Sequence, residues 1–218
     1  NWTRRWDGLD KEVLISQKYS DQDSLDFIRY ISRYFKDKRY LKVNGKPILI
    51  IYAPNNIPNI NHICFLWRKE IQKQGFDDIY LISCGSQYDS RFQTNDDLSG
   101  FDASLSFVPR TLSDVAFRKN YSLDKKNEDD NIEFLDKKFN GNIFDYSETV
   151  NNIVQRKEKK IKQLESVMFA WDNTARRGND SNLFINFNLT KYKQWLSHVC
   201  HKTLVNDLFS YSEKFVFI

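Results

Sequence analysis

The run Pro47-Ile48-Leu49-Ile50-Ile51-Tyr52 offers no polar residue to alternate with its apolar ones, so it reads as a strand buried on both faces, the signature of a parallel sheet covered by helices. Working outward, Leu25, Phe27, Ile28, Ile31, Tyr34 and Phe35 recur at helical spacing behind an N-cap at Asp21 or Ser24. That pattern predicts an amphipathic helix of about 15 residues. A turn at Asn44-Gly45-Lys46 leads into the strand. Beyond it, residues 62–74 predict a second helix closed by Gly75 at the C′ position, and Ile79 to Cys84 form another unbroken apolar strand.

Farther out, Val13-Leu14-Ile15-Ser16-Gln17 predicts a short buried strand and Phe101 to Phe107 a further one. Residues 118–142, which include Lys125-Lys126-Asn127-Glu128-Asp129-Asp130-Asn131, are too polar for a core and read as an exposed insertion. Glu148 to Glu165 reads as a charged helix, and Val167-Met168-Phe169-Ala170-Trp171 as a strand entering the polar loop Asp172 to Asn182. A last helix from Thr190 to Leu208 precedes Phe215-Val216-Phe217-Ile218. Strands alternating with helices at this spacing predict an α/β fold with a parallel sheet.

Composition narrows the class. Of 218 residues, 40% are hydrophobic, with 17 Phe, 11 Tyr and 5 Trp, which excludes a disordered, collagenous or coiled-coil chain. Residues 1–218 fit one domain, yet fall short of the roughly 250 residues of a complete (β/α)8 barrel. The chain opens in an aromatic loop, Asn1 to Gly8, and stops in an apolar strand pattern, whereas termini usually lie in exposed polar segments. An excised portion of a longer protein is therefore expected.

Lys and Arg number 33 against 29 Asp and Glu, and the two signs interleave, so the clustered footprint of a nucleic-acid binder is missing from the sequence. Cys64, Cys84 and Cys200 are far apart and odd in number, which reads as reduced thiols and favours a cytoplasmic compartment. No apolar run approaches the ~18 residues of a membrane span, and Asn1-Trp2-Thr3-Arg4-Arg5 is no signal peptide.

In a parallel α/β fold ligands sit beyond the C-terminal ends of the strands. Those places hold Tyr52, Gly85 to Asp89, Pro109-Arg110 and Trp171-Asp172-Asn173-Thr174-Ala175-Arg176-Arg177. Trp171 suits the apolar face of a sugar, while Asp172, Asn173, Arg176 and Arg177 suit hydroxyls or an anion. The alternative is a surface loop with an Asp turn and solvated arginines. Trp2-Thr3-Arg4-Arg5-Trp6-Asp7-Gly8 is either a stacking wall or aromatic packing under a rim. Asp21-Gln22-Asp23 has the form of a metal-holding Asp-x-Asp, but a helix starts there at once and N-capping explains it. His198-Val199-Cys200-His201 lacks a second pair of zinc ligands.

Several blocks together resemble one family: Asn1 to Gly8, Phe35 to Pro47, Tyr52-Ala53-Pro54, Gly100-Phe101-Asp102-Ala103 and Trp171 to Arg177 are similar, in order and from end to end, to the WbsX family of glycosyltransferase-named proteins. That family in turn resembles glycoside hydrolase family 99. The resemblance implies a partial (β/α)8 barrel lacking strands at both ends, and a carbohydrate-active enzyme working on glycosidic bonds in the biosynthesis or remodelling of bacterial O-antigen or capsule. It implies a metal-free site without cofactor, an oligosaccharide or polysaccharide substrate and, if the chemistry is transfer, a nucleotide-sugar donor. It also implies a catalytic glutamate pair after Ile218, so Glu148, Glu158 and Glu165 are not assigned to it. Carried over by the resemblance are Trp6 and Asp7, the 172–177 loop, and Tyr146, which falls near a Tyr-Asp-Tyr motif that here reads Phe144-Asp145-Tyr146. The rival reading is a non-catalytic glycan-binding domain.

Overall fold

The structure, a computed structural model, describes residues 2–4, 9–85, 100–112, 115–121, 132–156 and 162–218. The opening pair β1 (Trp2–Arg4) and β2 (Leu9–Ile15) forms a separate antiparallel hairpin. The strand expected at 13–17 thus lies earlier than its apolar residues suggest, and it is not buried: Leu14 and Ile15 are 57% and 63% exposed. Their apolar run pairs with β1 and joins no larger sheet.

Helix α1 (Asp21–Phe35) matches its periodicity, with Ser20 as N-cap, its hydroxyl accepting the Asp23 amide at 3.1 Å. The short strand β3 (Lys42–Val43) turns through Asn44-Gly45, both at positive φ, into β4 (Lys46–Tyr52). Helix α2 (Ile60–Lys73) starts two residues before the predicted bound, and Gly75 follows it at φ +90°. Strand β5 (Tyr80–Cys84) is buried throughout.

Three further strands extend the sheet: β6 (Ala103–Leu105), β9 (Gln163–Ser166) and β11 (Val216–Phe217). Between β6 and β9 come β7 (Phe117–Lys119), β8 (Asn142–Asp145) and α3 (Tyr146–Gln155). Between β9 and β11 come the one-turn α4 (Thr174–Arg177), β10 (Asn182–Ile185) and α5 (Leu189–Val205). The six-stranded sheet runs β11-β9-β6-β5-β4-β3, parallel except for the β3–β4 pair. Its parallel members thus stand side by side in the order of the sequence. A smaller sheet, β10-β8-β7, flanks it. This is a mixed α/β fold.

Two sequence expectations need correction here. The charged helix stops at Gln155 rather than reaching Glu165, because Gln163-Leu164-Glu165-Ser166 alternates at a period of two and buries Leu164 between β6 and β11. The strand predicted at 167–171 consequently lies at 163–166. Val167 to Trp171 is the segment that leaves the sheet, and Val167, Met168 and Trp171 pack into a separate cluster with Tyr146, Val150, Trp195 and Val199.

Alternation along β4 and β5 divides the rest of the core. Leu49, Ile51, Ile79 and Leu81 face α1 and α2, where Ile28, Phe35, Trp67 and Ile71 cover them. Ile48, Tyr80, Ile82 and Cys84 face the other way, with Leu105, Leu164 and Phe209. Arg68 of α2 locks the helix side: its guanidinium donates to Asp78 at 2.9 Å, to the Ile79 carbonyl at 2.8 Å and to Asp102 Oδ2 at 2.7 Å. Asp102 Oδ2 also accepts the Leu81 amide at 2.8 Å. Gly100 sits so close to α2 that a Cβ there would lie 2.7 Å from that of Cys64. The block Gly100-Phe101-Asp102-Ala103 is therefore a clasp between α2 and β5. A second lock joins Tyr80 and Lys162 to the buried Glu213, at 2.7 and 2.6 Å.

Candidate functional site

Because β4, β5, β6, β9 and β11 run parallel, their C-terminal ends lie together at one end of the sheet. Tyr52 ends β4 and is 56% exposed. Its ring lies over Gly85, where a Cβ would come within 3.3 Å of it, and meets Phe107 edge-on at 5.3 Å between centroids. Gly85 has φ +78°, so both its conformation and its lack of a side chain make room for the tyrosine. Ala53, next in the chain, is held at φ +47° while its amide donates to the Cys84 carbonyl at 2.8 Å. A non-glycine residue in that region is a local strain, of the kind that accumulates at functional sites.

At the end of β9 the chain continues through Met168, Phe169 and Trp171. Trp171 is half-buried against the Tyr146–Trp195 cluster, and its carbonyl accepts the Phe184 amide at 2.8 Å. Asp172 bridges to Leu183, and its Oδ1 accepts the Thr174 amide at 2.8 Å. Asn173 Oδ1 accepts the Asn182 amide, also at 2.8 Å. The loop is thereby stitched to β10, and one oxygen of each of these two side chains is spent on holding it. Arg176 and Arg177 lie exposed on α4. The 132–142 segment braces the same loop through Asn140, whose amide donates to the Asn179 carbonyl, and Asn179, whose side chain donates to Asp136.

Tyr146 sits differently from a sugar contact. It is 1% exposed, and its hydroxyl donates to the Met168 carbonyl at 2.9 Å; burial raises its pKa. It underlies the site without lining it. Trp6 and Asp7 lie outside the described residues, as do 86–89 of the stretch after β5.

The structure thus gathers Trp171, Asp172, Asn173, Arg176 and Arg177 in one loop. Tyr52 stands three strands away from β9, three spacings of about 4.8 Å or roughly 14 Å along the sheet. Sequence reasoning passed over Phe107, Phe169 and Phe187, which are 37%, 54% and 37% exposed near these strand ends. The signal for Phe169 was present, but with the strand placed at 167–171 it counted as a strand interior.

Among the described residues, three glutamates are held by cations. Glu165 pairs with Lys202 at 2.8 Å, and Glu70 with Arg29 and Lys73 at 2.7 and 3.1 Å. Glu148 is exposed in the first turn of α3 and accepts from Asn151; Glu158 lies outside the described residues. Asp21 and Asp23 occupy the first turn of α1, and among the described residues no group of three or more His, Cys, Asp or Glu is placed to hold a metal ion. Cys64 is buried, which pushes its thiol up to about 12, and among the described residues no helix is long and apolar enough to cross a membrane.

Aromatic and polar groups are thus collected at the carboxyl ends of a parallel sheet, the place at which α/β folds in general take their ligands. The family described as Glycosyltransferase WbsX matches residues 1–218, and the chain belongs to that family. Two relatives named Uncharacterized protein WxcX, from Xanthomonas campestris pv. campestris strains B100 and ATCC 33913, are each 28% identical over 206 residues, covering 94% of this chain and 27% of theirs. The chain spans about a quarter of the length of these relatives. A solved structure titled Glycoside hydrolase-like protein superposes with a TM-score of 0.51 at 14% identity, over 90% of this chain and 49% of that one. That likeness is one of fold.

Proposed function

We propose that residues 1–218 form part of a (β/α)8 barrel in a carbohydrate-active enzyme that works on glycosidic bonds of a bacterial surface polysaccharide. The observation that carries this reading is the coincidence of the family match along the whole chain with a sheet whose parallel strands follow one another in sequence order. The likeness to a glycoside hydrolase-like fold supports it.

In this reading Tyr52, Trp171, Asp172, Asn173, Arg176 and Arg177 line the sugar site. Trp171 and Tyr52 supply apolar faces. The unspent oxygen of Asp172, the amide nitrogen of Asn173 and the two guanidinium groups supply hydrogen bonds to hydroxyls or to an anionic sugar or donor. The general acid and base are proposed to be a glutamate pair following Ile218, as the family resemblance implies, while Glu70, Glu165 and Glu213 are each paired with a cation.

Calorimetry on the full-length protein tests the reading. Nucleotide sugars form one panel and mannose-containing oligosaccharides the other, with turnover followed in parallel. Donor binding with transfer makes the protein a glycosyltransferase, and oligosaccharide cleavage makes it a hydrolase. Binding without turnover identifies a glycan-binding domain, and binding of neither panel overturns the proposal.

A further inference from the structure

Phe169 and Phe187 keep 54% and 37% of their surface in water, and Phe169 lies two residues before Trp171 in the chain. Their ring centroids are 4.4 Å apart with planes 35° from each other, so together they make one shallow surface. That surface is packed from beneath: Tyr192 meets Phe169 edge-on at 5.0 Å, and Tyr146 meets Phe187 edge-on at 5.2 Å.

Three consecutive residues at the start of α3 fix the two backbone segments that carry these rings. Asp145 Oδ2 accepts from the Asn186 side-chain amide at 2.7 Å, and the Ser147 hydroxyl donates to the Asn186 carbonyl at 3.0 Å. Between them, Tyr146 donates to the carbonyl of Met168, the residue before Phe169. Asn186, the residue before Phe187, is held at φ +58°. Asp145 and Tyr146 are both buried, so the support is rigid while the surface it carries is open. Strain, rigid backing and exposed aromatic faces at the end of a parallel strand are the marks of a preorganised binding surface.

We propose that Phe169 and Phe187 form a stacking platform for the C–H face of a pyranose ring, with Asp145, Tyr146 and Ser147 as its positioning residues. The inference rests on the carbohydrate-active reading above and adds a subsite to it. The chemistry is that of an aromatic ring against aliphatic C–H groups, whose weakly positive hydrogens match the negative face of the ring. Hydroxyls at the sugar's edge then remain free for the loop stitched to β10, the strand that leads into Phe187.

The test uses the full-length protein on an array of bacterial surface polysaccharides and mannose-containing oligosaccharides, followed by titration with the best binder. Phe169→Ala is expected to weaken binding about tenfold, and Phe169→Trp to keep it, with the melt unchanged because the ring is exposed. Phe187→Ala should weaken it by a similar factor. Tyr146→Phe should weaken binding in the wild-type background but not in Phe169→Ala, a coupling that a purely structural role would not produce. Wild-type protein that binds glycan equally well as Phe169→Ala overturns the platform alone. Wild-type protein that binds no glycan overturns the carbohydrate-active reading, and the platform with it.

Discussion

The Arg68 clasp and the Phe169–Phe187 surface are built by opposite rules. In the clasp, one guanidinium meets two carboxylates and two carbonyls, and Asp102 takes an amide as well. Polar groups there are matched, and the side chains are about three-quarters buried. On the aromatic surface, apolar area stays uncovered and a backbone residue stays strained, though buried hydrogen bonds spent beneath it hold the rings still. The two regions teach where to look for function among blocks that carry a family resemblance. Gly100-Phe101-Asp102-Ala103 is satisfied from within and serves stability, whereas Trp171 to Arg177 leaves Asp172, Arg176 and Arg177 exposed to water.

If that contrast is sound, Arg68→Ala should be the most damaging single change, since it strands Asp78 and Asp102 in partly buried positions at a cost of about 3 kcal/mol. For a chain of this size a thermal melt should fall by roughly 5–10 °C, while glycan affinity of the folded protein stays the same. Removing Arg176 or Arg177 should do the reverse. Each truncation to Ala is expected to weaken glycan or donor binding by about tenfold to a hundredfold, with Arg→Lys failing to restore a bidentate contact. Calorimetry and melting on the same samples would show whether the two effects separate; if both Arg→Ala variants bind and turn over as wild type, the loop is not part of the site. Gly100→Ala sharpens the clasp side, because its Cβ would intrude on Cys64. Overpacking of this kind costs about 1–3 kcal/mol, read as a lower denaturant midpoint with an unchanged slope.

The effect confined to the narrowest pH range concerns Glu213. Burial works against its charge, yet hydrogen bonds from Lys162, Tyr80 and Ser210 outweigh it and hold the carboxyl at about 2 against an ordinary 4.5. A carboxylate depressed on folding stabilises above its unfolded value, and that contribution is lost as pH falls from 4.5 through about 2. Acid titration of the melting temperature should therefore be flatter in that window for Glu213→Gln, which already lacks at neutral pH the contribution that the wild type loses only in acid. An equally steep acid loss in the variant would assign the window to other groups, Glu70 among them, whose carboxyl Arg29 and Lys73 also hold at about 2.

Much of the larger sheet and its helices was legible because periodicity and burial agree there. α1 and α2 bury one stripe each, and β4 and β5 are apolar on successive residues. The misreadings fall where a short strand carries charges or where apolar residues serve something other than a strand. Gln163-Leu164-Glu165-Ser166 looked helical beside a charged helix, whereas Val167 to Trp171 looked like a strand although Val167, Met168 and Trp171 fill a separate cluster. β8 and β10 begin with asparagines, Asn142 and Asn182, that hydrogen-bond each other at 2.7 Å, and such polar starts imitate a loop. The loop 172–177 was found from the residues after an apolar run. Phe169 was hidden by the misplaced strand, and Phe187 by the absence of any predicted strand before it.

The ordering of the parallel strands also bears on how the protein comes into being. Since each new strand of the larger sheet docks beside that sheet's previous member, the sheet can grow outward as the polypeptide leaves the ribosome, with α1 and α2 already covering the first pair. Growth of this kind leaves a fresh edge waiting at every stage. The bond between Tyr80 and Glu213, which spans 133 residues, cannot form until residue 213 has been made. It is a latch that closes only once residue 213 has been made, so translation that stalls before it would leave Tyr80 and Lys162 without this carboxylate.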